Sequence, residues 1–193
     1  MNKKLLFGIG IFAVSLLVIS CSTAGKSQMA VAQLAKKNDI KRILYFIPEV
    51  IPDIEEIKQP TYDVFFTAAS DKMMSLGTRD YLRIDIPVEY DSVNVDMLRE
   101  FCKNNDADVA VVPRVKYFKV GLGKYVFSNQ VEVSLKLFDA EGNLMLETSY
   151  DTFKAGGRML GSAANSVKIG TKGALQNMNK ELQNNQIFFI KST

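Results

Sequence analysis

The sequence predicts an α/β (α+β) fold, a mixed sheet of about five strands that includes a three-stranded antiparallel meander and is flanked by helices, a long C-terminal one among them. Three patterns carry this expectation. Five consecutive apolar or aromatic residues, Ile43 to Ile47, are closed by Pro48 and read as a strand buried on both faces. Apolar steps of three and four residues then recur over two further stretches, as helices require. Between them lies a strict alternation, Val131, Val133, Leu135 and Leu137 against Glu132, Ser134 and Lys136, which only a strand explains. The chain has 193 residues, 47% hydrophobic and 23% charged, which suits one folded domain and excludes a disordered or collagen-like polymer.

In chain order, Lys3 and Lys4 precede an uncharged run from Leu5 to Ile19, the layout of a secretory signal. The run is short for a membrane span, which wants about 20 apolar residues. It ends in Val18-Ile19-Ser20-Cys21, which resembles the lipobox of bacterial lipoproteins. That resemblance implies cleavage after residue 20, lipidation of Cys21 (palmitate among the acyl chains) and no spanning helix. Ser22, where an Asp would imply inner-membrane retention, implies the outer membrane, and the lack of acids up to Gln28 favours its periplasmic face. The expected organisation is therefore signal peptide 1–20, lipidated Cys and tether 21–40, and a single α/β domain 41–193. Loss of Lys3 and Lys4 takes the formal charge from +3 to +1, so no global attraction to nucleic acid is expected.

The domain elements follow. Pro52 and Pro60 bracket an acidic connection. Thr61 to Leu76 reads as a helix through Val64, Phe65, Ala68, Ala69 and Met73, with Gly77 ending it. Tyr81 to Pro87 alternates as a strand with one wet face, Leu82, Ile84 and Ile86 inward. Asn94 caps a second helix with Leu98, Phe101 and Cys102 on its inner stripe, ended by Asn104-Asn105-Asp106. Val109 to Val112 is a short strand leading into the first meander strand, Arg114 to Val120. Gly121-Leu122-Gly123 turns the chain into Tyr125 to Phe138, and Asp139-Ala140-Glu141-Gly142 turns it again into Leu144 to Phe153. Met159 to about Leu182 is the long helix. The final Ile187-Phe188-Phe189-Ile190 is a terminal strand or an apolar tail.

This order, with Asp106-Ala107-Asp108 leading into Val109-Ala110-Val111-Val112 and a hairpin carrying Phe138-Asp139-Ala140-Glu141-Gly142, resembles the TolB N-terminal-like domain of periplasmic lipoproteins of the CsgG, LpoB and PelC kind. The resemblance spans roughly Lys41 to Leu182. It implies binding of other proteins, without catalysis. The tight Tyr117–Tyr125 connection and its lysines disfavour the membrane-inserted hairpins of a secretion pore.

The chemistry points the same way. The sequence contains no His, which excludes Ser-His-Asp and Cys-His pairs and HExxH zinc sites. No metal, cofactor or catalytic residue is expected. Asp106 with Asp108 is the best carboxylate pair and reads as solvated acids at a junction. Cys102, left alone once Cys21 is lipidated, reads as a buried hydrophobe. Two surfaces remain for partners: the hairpin end, with Tyr117, Phe118, Lys119, Lys124, Tyr125 and Phe127, and a basic face at Arg158, Lys168 and Lys172. The expected role is a non-catalytic binding or scaffolding component of a cell-envelope assembly, with a protein partner and oligomerisation both compatible. A binder of a small ligand or anionic polymer through the basic C-terminal helix is the alternative.

Overall fold

The computed structural model describes residues 25–29, 39–77, 80–118, 130–154 and 162–189. Its elements are β1 (Gly25–Met29), β2 (Ile43–Ile47), β3 (Glu49–Ile51), α1 (Glu55–Leu76), β4 (Tyr81–Pro87), α2 (Val95–Asn104), β5 (Val109–Tyr117), β6 (Val131–Asp139), β7 (Leu144–Asp151) and α3 (Ala163–Asn184). They form one mixed sheet in the order β1-β7-β6-β5-β2-β4, with β3 also on β5. Strands β5, β6 and β7 are the expected antiparallel meander, while β2 runs parallel to both β4 and β5.

The sheet has seven strands among the described residues, two more than expected. Strand β3 continues β2 past Pro48: Tyr45 opposes Val111 and Glu49 opposes Arg114, so the β2–β3 side accommodates one extra residue. Strand β1 lies inside the stretch read as a tether, and its polar sequence gives no strand signal. It pairs antiparallel with β7, from Gly25 opposite Tyr150 to Met29 opposite Leu146. Residues 30–38 lie outside the described residues.

Helix α1 begins six residues earlier than its periodicity suggests, with Pro60 inside it. Proline removes one N–H and crowds the carbonyl four residues before it. That carbonyl belongs to exposed Glu56, which leaves it to water. Gly77, at φ 87°, closes the helix by donating to the carbonyls of Met73 and Met74. Asn94 caps α2, its side chain accepting from the Met97 amide at 3.1 Å, and Ser162 does the same for α3 through Asn165. Gly142, at φ 81°, makes the β6–β7 turn; a Cβ there would stand 2.4 Å from Val95 Cγ1. Strand β5 is continuous through Pro113, joining two strands that the sequence reading separated.

Alternation along the strands splits the core between the two faces. Ile43, Tyr45, Val109, Val111, Val133, Leu135 and Leu137 meet α1 and α3 on one face. Leu44, Phe46, Ala110, Val112 and Phe138 meet α2, Val88 and Tyr90 on the other. Cys102 is 1% exposed, and burial, with Asp139, Glu141 and Asp108 nearby, pushes its thiol up to about 11. It is a neutral core residue. The tail packs rather than hanging free: Ile187 is buried, and the Ile40 amide donates to the Phe188 carbonyl at 2.8 Å.

Candidate functional site

The connection from β4 to α2 crosses the second face of the sheet, and Tyr90 fastens it there. In chain terms this segment is a polar turn, yet the Tyr90 side chain is fully buried. Its hydroxyl donates to Glu147 Oε1 at 2.9 Å. Two cations stand against its ring, Arg114 Cζ at 4.1 Å and Lys136 Nζ at 4.4 Å from the centroid. Lys136 also donates to the Tyr90 carbonyl at 2.8 Å, and Arg114 binds Asp91 at 2.8 Å. The strand register explains the convergence: Lys136 stands opposite Glu147 and Arg114 opposite Ser134. Burial first, then the Glu147 charge, raises the Tyr90 hydroxyl far above the usual tyrosine range. At neutral pH it is a hydrogen-bond donor and neither base nor nucleophile. The cluster clamps a loop, a task that no local pattern in the sequence announces.

The predicted hairpin surface is described only in part. Tyr117 is half-buried, and its hydroxyl meets Thr61 Oγ1 at 2.7 Å, tying β5 to α1. Phe118 is 39% exposed, with its amide donating to Gln130. Lys119, Lys124, Tyr125 and Phe127 lie outside the described residues, as do the expected turn at 121–123, Cys21 and Arg158. An aromatic that the sequence reading passed over, Phe153, is 61% exposed at the same end of the sheet.

The basic face of α3 is partly neutralised. Lys172 pairs with Asp71 of α1 at 2.9 Å and holds its carboxylate below the usual range. One turn earlier, Lys168 borders a groove of about 400 Å³ between α1 and α3, also lined by Asp63, Val64, Thr67, Ala164 and Asn165. Of Asp106 and Asp108, the second is engaged with the backbone. Asp108 Oδ2 accepts the amides of Lys41 and Arg42 at 2.7 and 2.9 Å, bracing the start of β2.

Strand β4 departs from its expected role. Among the described residues it is an edge strand, and Leu82 and Ile86, expected inward, are each 37% exposed, while Ile84 packs against the core. Arg83 and Asp85 pair on the opposite face, where the Arg83 guanidinium stacks 4.3 Å from the Phe66 ring. An apolar stripe on an edge strand is suited to receive another chain. Among the described residues no group of His, Cys, Asp and Glu could hold a metal ion, and no helix is long and apolar enough to cross a membrane.

In sequence, the chain matches no protein-family model and no curated protein. In structure it is similar to the PelC dodecamer of Paraburkholderia phytofirmans, with a TM-score of 0.51 at 11% identity over 78% of this chain and 94% of that one. A point variant of the same PelC gives 0.50 at 10% identity, over 78% and 95%. Lipoprotein GNA1162 of Neisseria meningitidis aligns with a TM-score of 0.36 at 10% identity, over 74% and 98%. The two PelC structures establish a shared fold.

Proposed function

We propose that the chain is an outer-membrane-anchored periplasmic lipoprotein that serves, without catalysis, as a binding or scaffolding component of a cell-envelope assembly, and that it associates with copies of itself. The observation that carries this reading is the apolar run ending at Cys21, placed directly ahead of a domain with the PelC fold. The solved PelC structures are dodecamers, which supports association; the exposed Leu82 and Ile86 on the β4 edge offer a surface for it. Tyr90, Asp108 and Cys102, the groups that chemistry would call on first, are engaged in holding the fold. Pairing of Lys172 with Asp71 weighs against the basic helix as the main binding face.

Cys21→Ala should move the protein from the membrane to the soluble fraction of broken cells; retention in the membrane would overturn the anchor. Leu82→Glu combined with Ile86→Glu should lower the native mass toward that of a monomer. A mass that stays at the wild-type oligomer in that double variant would rule out the β4 edge as the interface. Crosslinking in intact envelopes then identifies the partner protein.

A further inference from the structure

We propose that the Tyr117 end of the sheet rests on the lipid bilayer, with Phe118 and Phe153 seated in its interface. This deepens the reading above and rests on acylation of Cys21. The direction of β1 decides which end faces the membrane. Gly25 stands beside Tyr150, next to the last residue of β7, while Met29 stands beside Leu146 near the far end. Asp151, Glu132 and Lys116 share one row across β7, β6 and β5, so Gly25 and Tyr117 lie at the same end. Only Ser22, Thr23 and Ala24 separate Cys21 from Gly25. At about 3.3–3.6 Å per residue, that stretch reaches at most ~14 Å. Had β1 run the other way, the anchor would pull on the opposite end, a strand length away.

At the end so placed, Phe153 is 61% and Phe118 39% exposed. Phe153 follows directly on β7, the neighbour of β1, and Phe118 follows β5, two strands further on. With strands about 4.8 Å apart, both fall within ~15 Å laterally of the anchored strand. Charges of both signs stand there among the described residues. Lys116 is exposed opposite Glu132, Lys154 lies 3.7 Å from Asp151, and Asp53 and Glu55 share Lys58, with exposed Glu56 beside them. The contact proposed is that of the two aromatic rings with the headgroup region.

Phe188, 48% exposed, supplies an internal control, because Ile40 and the start of β2 place it at the opposite end. The full chain is purified from membranes with its anchor and reconstituted into phosphatidylethanolamine–phosphatidylglycerol vesicles. Phe118→Cys, Phe153→Cys and Phe188→Cys are each labelled with a fluorophore, the buried Cys102 thiol being protected. Quenching by lipid-borne nitroxide should be severalfold stronger at 118 and 153 than at 188. Equal quenching at all three, or stronger quenching at 188, on a chain whose Cys21 peptide carries acyl mass overturns the orientation and leaves the anchor standing. A Cys21 peptide without acyl mass overturns the anchor, and the orientation with it.

Discussion

Replacing Tyr90 with Ala is expected to lower folding stability by about 3–5 kcal/mol, the range for deleting a fully buried aromatic ring. The ring packs against Arg114 and Lys136, and its removal also deprives Glu147 of the Tyr90 donor. Tyr90→Phe keeps the ring and should cost only about 1 kcal/mol, the net worth of one hydrogen bond. Urea unfolding of the three proteins checks both values. A loss under about 1 kcal/mol for the Ala variant would mean that the loop before α2 is not fastened by this residue. The same pair predicts a pH effect. Because the Tyr90 hydroxyl is raised in the folded state, its contribution is fully present below the ordinary tyrosine pKa of about 10 and is lost as pH rises beyond it. Tyr45, buried and likewise raised, adds to this alkaline loss. Tyr90→Phe should therefore fall less steeply between neutral pH and strongly alkaline pH than wild type.

Gly173→Ala is expected to destabilise the protein by about 1–3 kcal/mol, the usual cost of overpacking, despite a gain of about 1 kcal/mol in helix propensity. A Cβ at residue 173 would stand 2.3–2.6 Å from three atoms of the Tyr150 ring. These include Cγ, so the ring body must move and not merely its tip. Gly170→Ala meets a single Val133 methyl at 2.7 Å and should be the milder of the two. Thermal melts of both variants test the close approach of α3 to β6 and β7. An increase in melting temperature for Gly173→Ala would refute it.

Where signals were periodic and local, sequence and structure agree. The β6 alternation, the Asn94 cap, the Gly77 and Gly142 positions and the double-sided burial of β2 are each set by neighbours a few residues away. The differences have physical causes. Pro60 reads as a helix break because proline disfavours helix interiors, yet here its exposed position tolerates it. Strand β1, Gly-Lys-Ser-Gln-Met, has no β-branched residue, and its pairing partner lies far along the chain. The inward face assigned to β4 holds at Ile84 but not at Leu82 and Ile86, because alternation alone does not reveal an edge. The Tyr90 cluster was illegible for a related reason: Arg114, Lys136 and Glu147 come from three strands and meet only through register. At the hairpin end Phe118, singled out in the sequence, is exposed, whereas Phe153, in an Asp151-centred turn, carried no periodic signal.

The pairing of β1 with β7 also bears on when this protein can finish folding. Residues 25–29 complete one sheet edge only after β7 has been made, and Ile40 waits similarly for Phe189. Contacts of such sequence separation close slowly and late. A chain synthesised from its N-terminus therefore carries residues 25–29 without their strand partner until residue 150 has been made. The β1 edge of the sheet is thus among the last parts of the fold to close.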